Sequence, residues 1–306
     1  MVQTIMLLPY KISKMKRIVL FILLLIAVQS FGQVPHPVGF FKALVGGGPS
    51  LLLDDYPAEA AYSLRKLRTA YSGSAVRIRR SSDDTEQDIG FSSGDFDATS
   101  FSSFIGGGNG YVVTWYDQSG NGYNLPTGSF SEQPQLLLNT FQGKPVINFD
   151  GTNDAFALTN FLSGSSALTL FGVDSVGASA GANNGHFVYV DGAGSTSHYP
   201  FVDENIYDAF GTNSRKSAGS PPSALRAKHL YTVISAASDW RSYVNATSDF
   251  TTTSNTVSAS TGFFIGVNNG LYHKGAVTEV IIYTSAKNNT DRDAIWVNIN
   301  AYHTIY

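Results

Sequence analysis

The chain has 306 residues, 43% hydrophobic and 14% charged, which excludes a largely disordered chain and supplies a sizeable core. It has no cysteine, which excludes disulfides and thiolate metal sites. Its first 32 residues hold four basic residues (Lys11, Lys14, Lys16, Arg17) and no acidic one, leaving 16 basic against 23 acidic residues in the remainder, a balance that argues against nucleic-acid or anionic-membrane partners.

The amino terminus reads as an export signal. Lys16 and Arg17 precede the apolar run Ile18 to Val28, and Ser30-Phe31-Gly32 follows with small residues. The run is too short for a bilayer span, which needs roughly 20 residues, so no stable membrane span is expected after cleavage. Met15 is a second candidate start. The mature protein is expected to begin near Gln33 and to be secreted, periplasmic or at the cell surface. Residues 33–49 form a Pro- and Gly-bearing leader, and 50–306 a single domain.

Asp55 and Pro57 carry the signals of a helix start. Ala60, Leu64, Leu67 and Tyr71 then recur at helical spacing, and Gly73 closes the stretch. After it the period changes to two. Val76 and Ile78 alternate with Arg77 and Arg79, a half-buried strand whose basic residues face Asp83 and Asp84. Further strands are expected at Tyr111–Tyr116, Pro145–Phe149, Ala167–Val173, His186–Val190, Ile206–Phe210, Leu230–Ala236, Arg241–Val244, Phe263–Val267 and Ala276–Tyr283. Turn signals at Asn121-Gly122, Asp150-Gly151, Asp191-Gly192 and Asn269-Gly270 separate them. Many short strands with frequent turns predict an all-β sandwich or jelly roll. A helix closes the chain, with Thr290 and Asp293 as a capping pair and Ile295, Ile299, Tyr302 and Tyr306 on one face.

The most informative stretch is Val113-Thr-Trp-Tyr-Asp-Gln-Ser-Gly-Asn-Gly-Tyr-Asn-Leu125, a strand running into a polar loop. Asp117, Ser119 and Asn121 can hold that loop through side-chain to backbone bonds. Alternatively, Asp117 and Asn121 form a rim that meets a sugar or a calcium ion. Asp150, Asn153 and Asp154 would add oxygen ligands, of which calcium takes six to eight, but no EF-hand spacing is present. No other cofactor is expected. The six His residues show no metal spacing, and no Gly-x-Ser-x-Gly elbow frames a nucleophile.

That motif lies between Ala60 to Arg80 and Gly143-Lys-Pro-Val-Ile-Asn-Phe-Asp-Gly-Thr-Asn-Asp154. The ordered trio resembles the amino-terminal half of the catalytic domain of fungal-type α-L-arabinofuranosidase B. It is also similar to bacterial and phage surface proteins with laminin G or concanavalin A-like sandwiches. The ending Gly275 to Tyr283, Arg292 and the final helix look like the closing strand and helix of laminin G-like domains. The resemblance implies a concanavalin A/laminin G-like jelly-roll β-sandwich with a short N-terminal helix and a closing C-terminal helix. It also implies two carboxylates flanking a sugar, about 5–5.5 Å apart in a retaining enzyme. In the resembled enzyme the nucleophilic Glu follows a His-aromatic/apolar pair, and the acid/base Asp follows a Gly-rich strand end. The matching segment Ser197 to Tyr207 has Pro200 at the first position, with Asp203 and Glu204 displaced. Phe264 to Gly270 offers Asn268 and Asn269 at the second, and an amide cannot serve as a proton donor and acceptor. The adjacent cysteine pair of the resembled enzyme is missing. The expectation is therefore a module that binds a carbohydrate or cell-surface glycan without hydrolysing it. Its ligand-binding candidates are Asp117, Asn121, His198, Tyr199, Tyr207, Trp240, Asn268, Asn269 and Tyr272. One alternative is an α-L-arabinofuranosidase-type glycoside hydrolase with carboxylates drawn from Asp203, Glu204 and Glu279. The other is a structural surface or virion component.

Overall fold

The computed structural model describes residues 50–306 apart from 160, 182, 191–195, 260 and 261. The signal and leader expectations, and the turn at Asp191-Gly192, lie outside the described residues. Ser50–Tyr306 is one compact unit built on a twelve-stranded sheet. Across it the strands run Thr247–Thr252, Asp239–Val244, His229–Ala236, Ala167–Val176, Lys274–Tyr283, Lys144–Asp150, Gln135–Phe141, Gly110–Trp115, Val76–Arg80 and Glu86–Ile89. Ala60–Ser63 pairs on Lys274–Tyr283, and Leu125–Pro126 on Gly110–Trp115.

Successive side chains of a strand point to opposite faces, and here both faces of the central strands are covered. Leu168, Leu170, Val233, Val280 and Ile282 pack on one side, against Phe156, Val188, Phe263 and Ile265 of a small sheet formed by Phe156–Thr159, Gly262–Ile265 and Val188–Val190. Phe171, Val173, Ile234 and Ile281 pack on the other, against Ile295, Trp296 and Ile299 of the closing helix Asn289–His303. Each such buried side chain contributes roughly 1.5–3 kcal/mol. This two-sided core explains why every residue of Ala167–Val176 and Lys274–Tyr283 after the first is buried, the polar Asp174 and Glu279 included. No helix among the described residues is long and apolar enough to cross a membrane.

The fold is the expected all-β sandwich, with two helical expectations corrected in position. The short N-terminal helix is Leu52–Asp55, and the stretch with helical spacing is instead strand Ala60–Ser63 followed by a loop. The spacing misled because Ala60 and Leu64, four apart, also share one face of a strand. Pairing of Ala60–Ser63 with Glu279–Ile282 outweighs the local helical preference. The closing helix is capped by Asn288, whose Oδ1 accepts from the Asp291 amide at 2.9 Å, rather than by Thr290. Its buried face is Arg292, Ile295, Trp296, Ile299 and His303, while Tyr306 is exposed. A helix at Ala98–Ile105, capped by Asp97, was not expected from the sequence.

The polar loop after Trp115 is a clamp on the first strand. Asp117 Oδ1 accepts from the Ala61 and Ser119 amides, each at 2.9 Å. Its Oδ2 accepts from Ser119 Oγ at 2.6 Å and from the Gly122 and Tyr123 amides at 3.1 Å. Gln118 Oε1 accepts from the Leu67 amide, and its Nε2 donates to the carbonyls of Ser63 and Arg65. Asn121 donates to the Glu59 carbonyl at 2.8 Å. Gly122 sits at φ 84°, where a side chain would be strained. Asp117 and Asn121 thus both bond the backbone around the loop, Asp117 from a buried position and Asn121 from an exposed one. Asp117→Ala should leave several amides unpaired and lower the free energy of unfolding by about 1–3 kcal/mol, read from urea denaturation.

Candidate active site

The segment Ser197 to Asp208 folds back on itself. His198 and Tyr207 exchange backbone hydrogen bonds at 2.8 and 3.1 Å, and the Glu204 amide donates to the Phe201 carbonyl at 3.0 Å. Asp203 is tied into this turn. Its Oδ1 accepts from the Asn205 amide and its Oδ2 from Tyr207 Oη at 2.8 Å. Glu204 occupies the tip at φ 61°, exposed, and its side chain makes no hydrogen bond to another described residue. It lines a cavity of about 360 Å³ with Pro200, Ser220, Pro222, Leu225 and Arg226.

A second turn approaches the first. Val267–Asn268 pairs with Leu271–Tyr272 around Asn269 and Gly270, both at positive φ. Asn268 is fully buried, and its Oδ1 accepts from the Ser197 amide at 2.7 Å. Asn269 is exposed and donates to Thr196 Oγ1 at 3.4 Å. The two segments in which the sequence placed its catalytic candidates are thus joined in space.

Beneath the turn lies a buried platform of His, Asp and Tyr. Tyr199, fully buried, packs its ring 4.5 Å from His186 and 5.3 Å from Tyr231. Tyr199 Oη is 2.5 Å from His229 Nε2, which lies 3.1 Å from Asp174 Oδ1. Asp208 Oδ2 accepts from Tyr231 Oη at 2.8 Å, with His186 Nε2 3.8 Å away. Burial pushes His186 down to about 3 and Asp208 up to about 6, even though Tyr231 stabilises the Asp208 carboxylate. Burial opposes the charge on His229 too, but the Asp174 carboxylate prevails and raises it. Sequence reasoning missed this platform. Asp174, His186, Asp208, His229 and Tyr231 come from four separate strand regions, and no spacing signals them.

Several expected ligand-binding residues turn out to be core. Tyr199 and Trp240 are fully buried, and Trp240 Nε1 donates to the Phe210 carbonyl. Neither offers a face for a sugar. Tyr207 and Tyr272 are half-buried near the two turns, with Arg215 5.3 Å from the Tyr207 ring centre. His198 is 9% exposed, with its ring 4.5 Å from Phe201.

The calcium candidates do not converge. Asp117 is spent on its loop. Asp150 Oδ1 accepts from the Thr152 amide, and Asp154 Oδ2 from the Asp150 amide. Among the described residues no group of three or more His, Cys, Asp or Glu is placed to hold a metal ion.

Glu279 is an internal ion pair and a poor candidate for a catalyst. Arg65 meets it with two parallel bonds, Nε to Oε2 at 2.7 Å and Nη2 to Oε1 at 2.8 Å. Ser63 Oγ adds a third at 2.7 Å, and His303 Nε2 lies 3.3 Å away. Burial works to raise its pKa, but Arg65 and these hydrogen bonds hold it well below the ordinary 4.5. A carboxylate depressed in the folded state adds stability that is complete above its unfolded pKa and lost as pH falls below it. The wild-type melting temperature should therefore drop as pH falls below about 4.5. Glu279→Gln should flatten that drop while costing about 3–5 kcal/mol at neutral pH, because Arg65 is left buried without its partner.

A family model described as alpha-L-arabinofuranosidase B, catalytic, matches residues 53–211. Among solved structures, an arabinofuranosidase complexed with arabinofuranosyl-α-1,2-xylobiose is similar at 17% identity and a TM-score of 0.63. An α-L-arabinofuranosidase of glycoside hydrolase family 54, soaked with a cyclic sulfate inhibitor, is similar at 18% identity and the same TM-score. In both cases the likeness covers 82% of this chain and 64% of the other, and at such identities it speaks for the fold. No curated protein matches the chain.

Proposed function

Because this chain belongs to the family of α-L-arabinofuranosidase B catalytic domains, we propose that it is a carbohydrate-active protein of arabinofuranosidase type. Its sugar site would be the junction of the turn at Ser197 to Asp208 with the turn at Gly266 to Tyr272. The observation that carries this reading is the bond between the Ser197 amide and Asn268, which brings the two family-like segments together. In the hydrolytic reading Glu204 is the nucleophile. It is exposed at the cavity rim and its side chain is uncommitted to any described neighbour. Asp203 is the second carboxylate within the same turn. Its bonds to Asn205 and Tyr207 favour the ionised form, whereas the acid/base of a double displacement must begin protonated, which counts against the hydrolytic reading. Arabinofuranosyl groups on a xylan-like chain are the substrate class suggested by the sugar bound to the similar enzyme. The charged-apolar-small order at Lys16 to Gly32 supports export.

A second reading, sugar binding without turnover, is favoured by one specific feature. The loop facing the turn offers Asn268 and Asn269 where an acid/base carboxylate is needed, and Asn268 is already committed to Ser197. The two readings separate on nitrophenol release from 4-nitrophenyl α-L-arabinofuranoside. Hydrolysis requires wild-type turnover that falls by roughly 100-fold or more in Glu204→Gln, since each step of a double displacement uses both carboxylates. Wild-type protein that binds arabinoxylan but releases no nitrophenol would establish the second reading. Turnover unchanged in both Glu204→Gln and Asp203→Asn would remove the assigned site.

A further inference from the structure

A second cleft, of about 590 Å³, opens over the strands Val76–Arg80, Gly110–Trp115, Gln135–Phe141 and Lys144–Asp150. Its floor is a row of side chains in direct register. Arg79 is opposite Tyr111, Tyr111 opposite Gln135, and Gln135 opposite Asn148. Neighbouring strands lie about 4.8 Å apart, so four strands present a polar track roughly 14 Å long. Gln135 and Asn148 are half-buried and make no side-chain hydrogen bond to another described residue. Asp154, 6% exposed, closes one end.

Phe130 stands at the rim and is 57% exposed. It is held there by design of its surroundings. The Arg79 guanidinium lies 4.4 Å from the Phe130 ring centre and 5.0 Å from that of Tyr111. Arg79 is itself fixed, donating to Gln133 Oε1 and to Asp84 Oδ1, each at 2.6 Å. Its charge is met by Asp84, so the guanidinium serves as a strut for two rings and leaves little attraction for an anion. An exposed ring beside a carboxyl and two amides whose side chains bond no described residue is the arrangement that recognises a sugar. The ring takes the apolar C–H face, while the amides and carboxyl take the hydroxyls. Asp150 and Asp154 at the cleft also repel a polyanion. Burial lifts the Asp154 carboxyl to about 6, with the neighbouring Asp150 charge adding to it, so in mildly acidic solution this group donates as well as accepts.

We propose that this cleft is a second saccharide-binding site, separate from the turn that carries Glu204, and that it takes a short stretch of a neutral polysaccharide. The proposal stands whether or not the chain hydrolyses its ligand. The test is affinity electrophoresis of the full chain in gels holding soluble arabinoxylan, galactomannan or mixed-linkage β-glucan, with polygalacturonate as the anionic comparison. Wild-type protein should be retarded by at least one of the neutral polymers. Phe130→Ala and Asn148→Ala should each weaken that retardation at least tenfold in apparent Kd, with an unchanged melting temperature. Glu204→Gln should keep it. Any nitrophenyl arabinofuranoside turnover should be the same in Phe130→Ala as in wild type, because a monosaccharide glycoside does not reach the second cleft. Retardation by polygalacturonate alone, no retardation by any neutral polymer, or equal retardation of wild type and both cleft variants would each overturn the assignment.

Discussion

A buried carboxylate, Asp117, accepts five hydrogen bonds, one from the first strand and four from its own loop, and much of the architecture follows from where those donors lie. Each amide that Asp117 satisfies would be costly to leave unpaired in the interior. One of the donors is the Ala61 amide, in the strand that pairs with Lys274–Tyr283 in the middle of the sheet. With Gln118 bonding to residues 63, 65 and 67, the loop after Trp115 fixes the course of the whole 60–67 segment. The strand–loop motif is therefore an internal fastening, and its glycines serve its turn geometry.

That fastening brings Arg65 to Glu279 and, through it, to the closing helix. Glu279 bonds Ser63 and Arg65 from the first strand region and lies beside His303 of the helix. The beginning and end of the described chain are thus joined by one buried charge network. Three carboxylates considered for function, Asp117, Glu279 and Asp154, are occupied wholly or in part by backbone or ion-pair work. The carboxylates left near the surface at the family-like turns are Asp203 and Glu204, and of these only Glu204 has its side chain uncommitted to described neighbours.

The turn that carries them rests on the buried platform of His186, Tyr199, Asp208, His229 and Tyr231. Such a platform is costly unless its charges are paired, and here His229 faces Asp174 while His186 is held neutral by burial. Its physical effect is to fix Tyr199 and so one limb of the turn. The tip remains exposed and shaped by local bonds alone. A rigid base under an exposed tip suits a group that must be presented to a large ligand.

Local chemistry determined a good deal unaided. Period-two patterning located most of the large strands, the Gly- and Asn-bearing turns fell where expected at Gly122, Gly151 and Gly270, and the loop-holding role of Asp117 followed from the residue types around it. All of these depend on neighbours within a few residues. Tertiary structure alone decided what depends on distant partners. Residues 60–64 satisfy strand and helix spacing alike, and only pairing with Glu279–Ile282 chose the strand. Trp240 and Tyr199 have the composition of sugar platforms, yet packing across the sheet put both in the core. The junction of Ser197 with Asn268 spans 71 residues of sequence, and the row from Arg79 to Asn148 is assembled from four strands. No local signal encodes such registers, because they are set by which strands hydrogen-bond side by side once the two-sided core has formed.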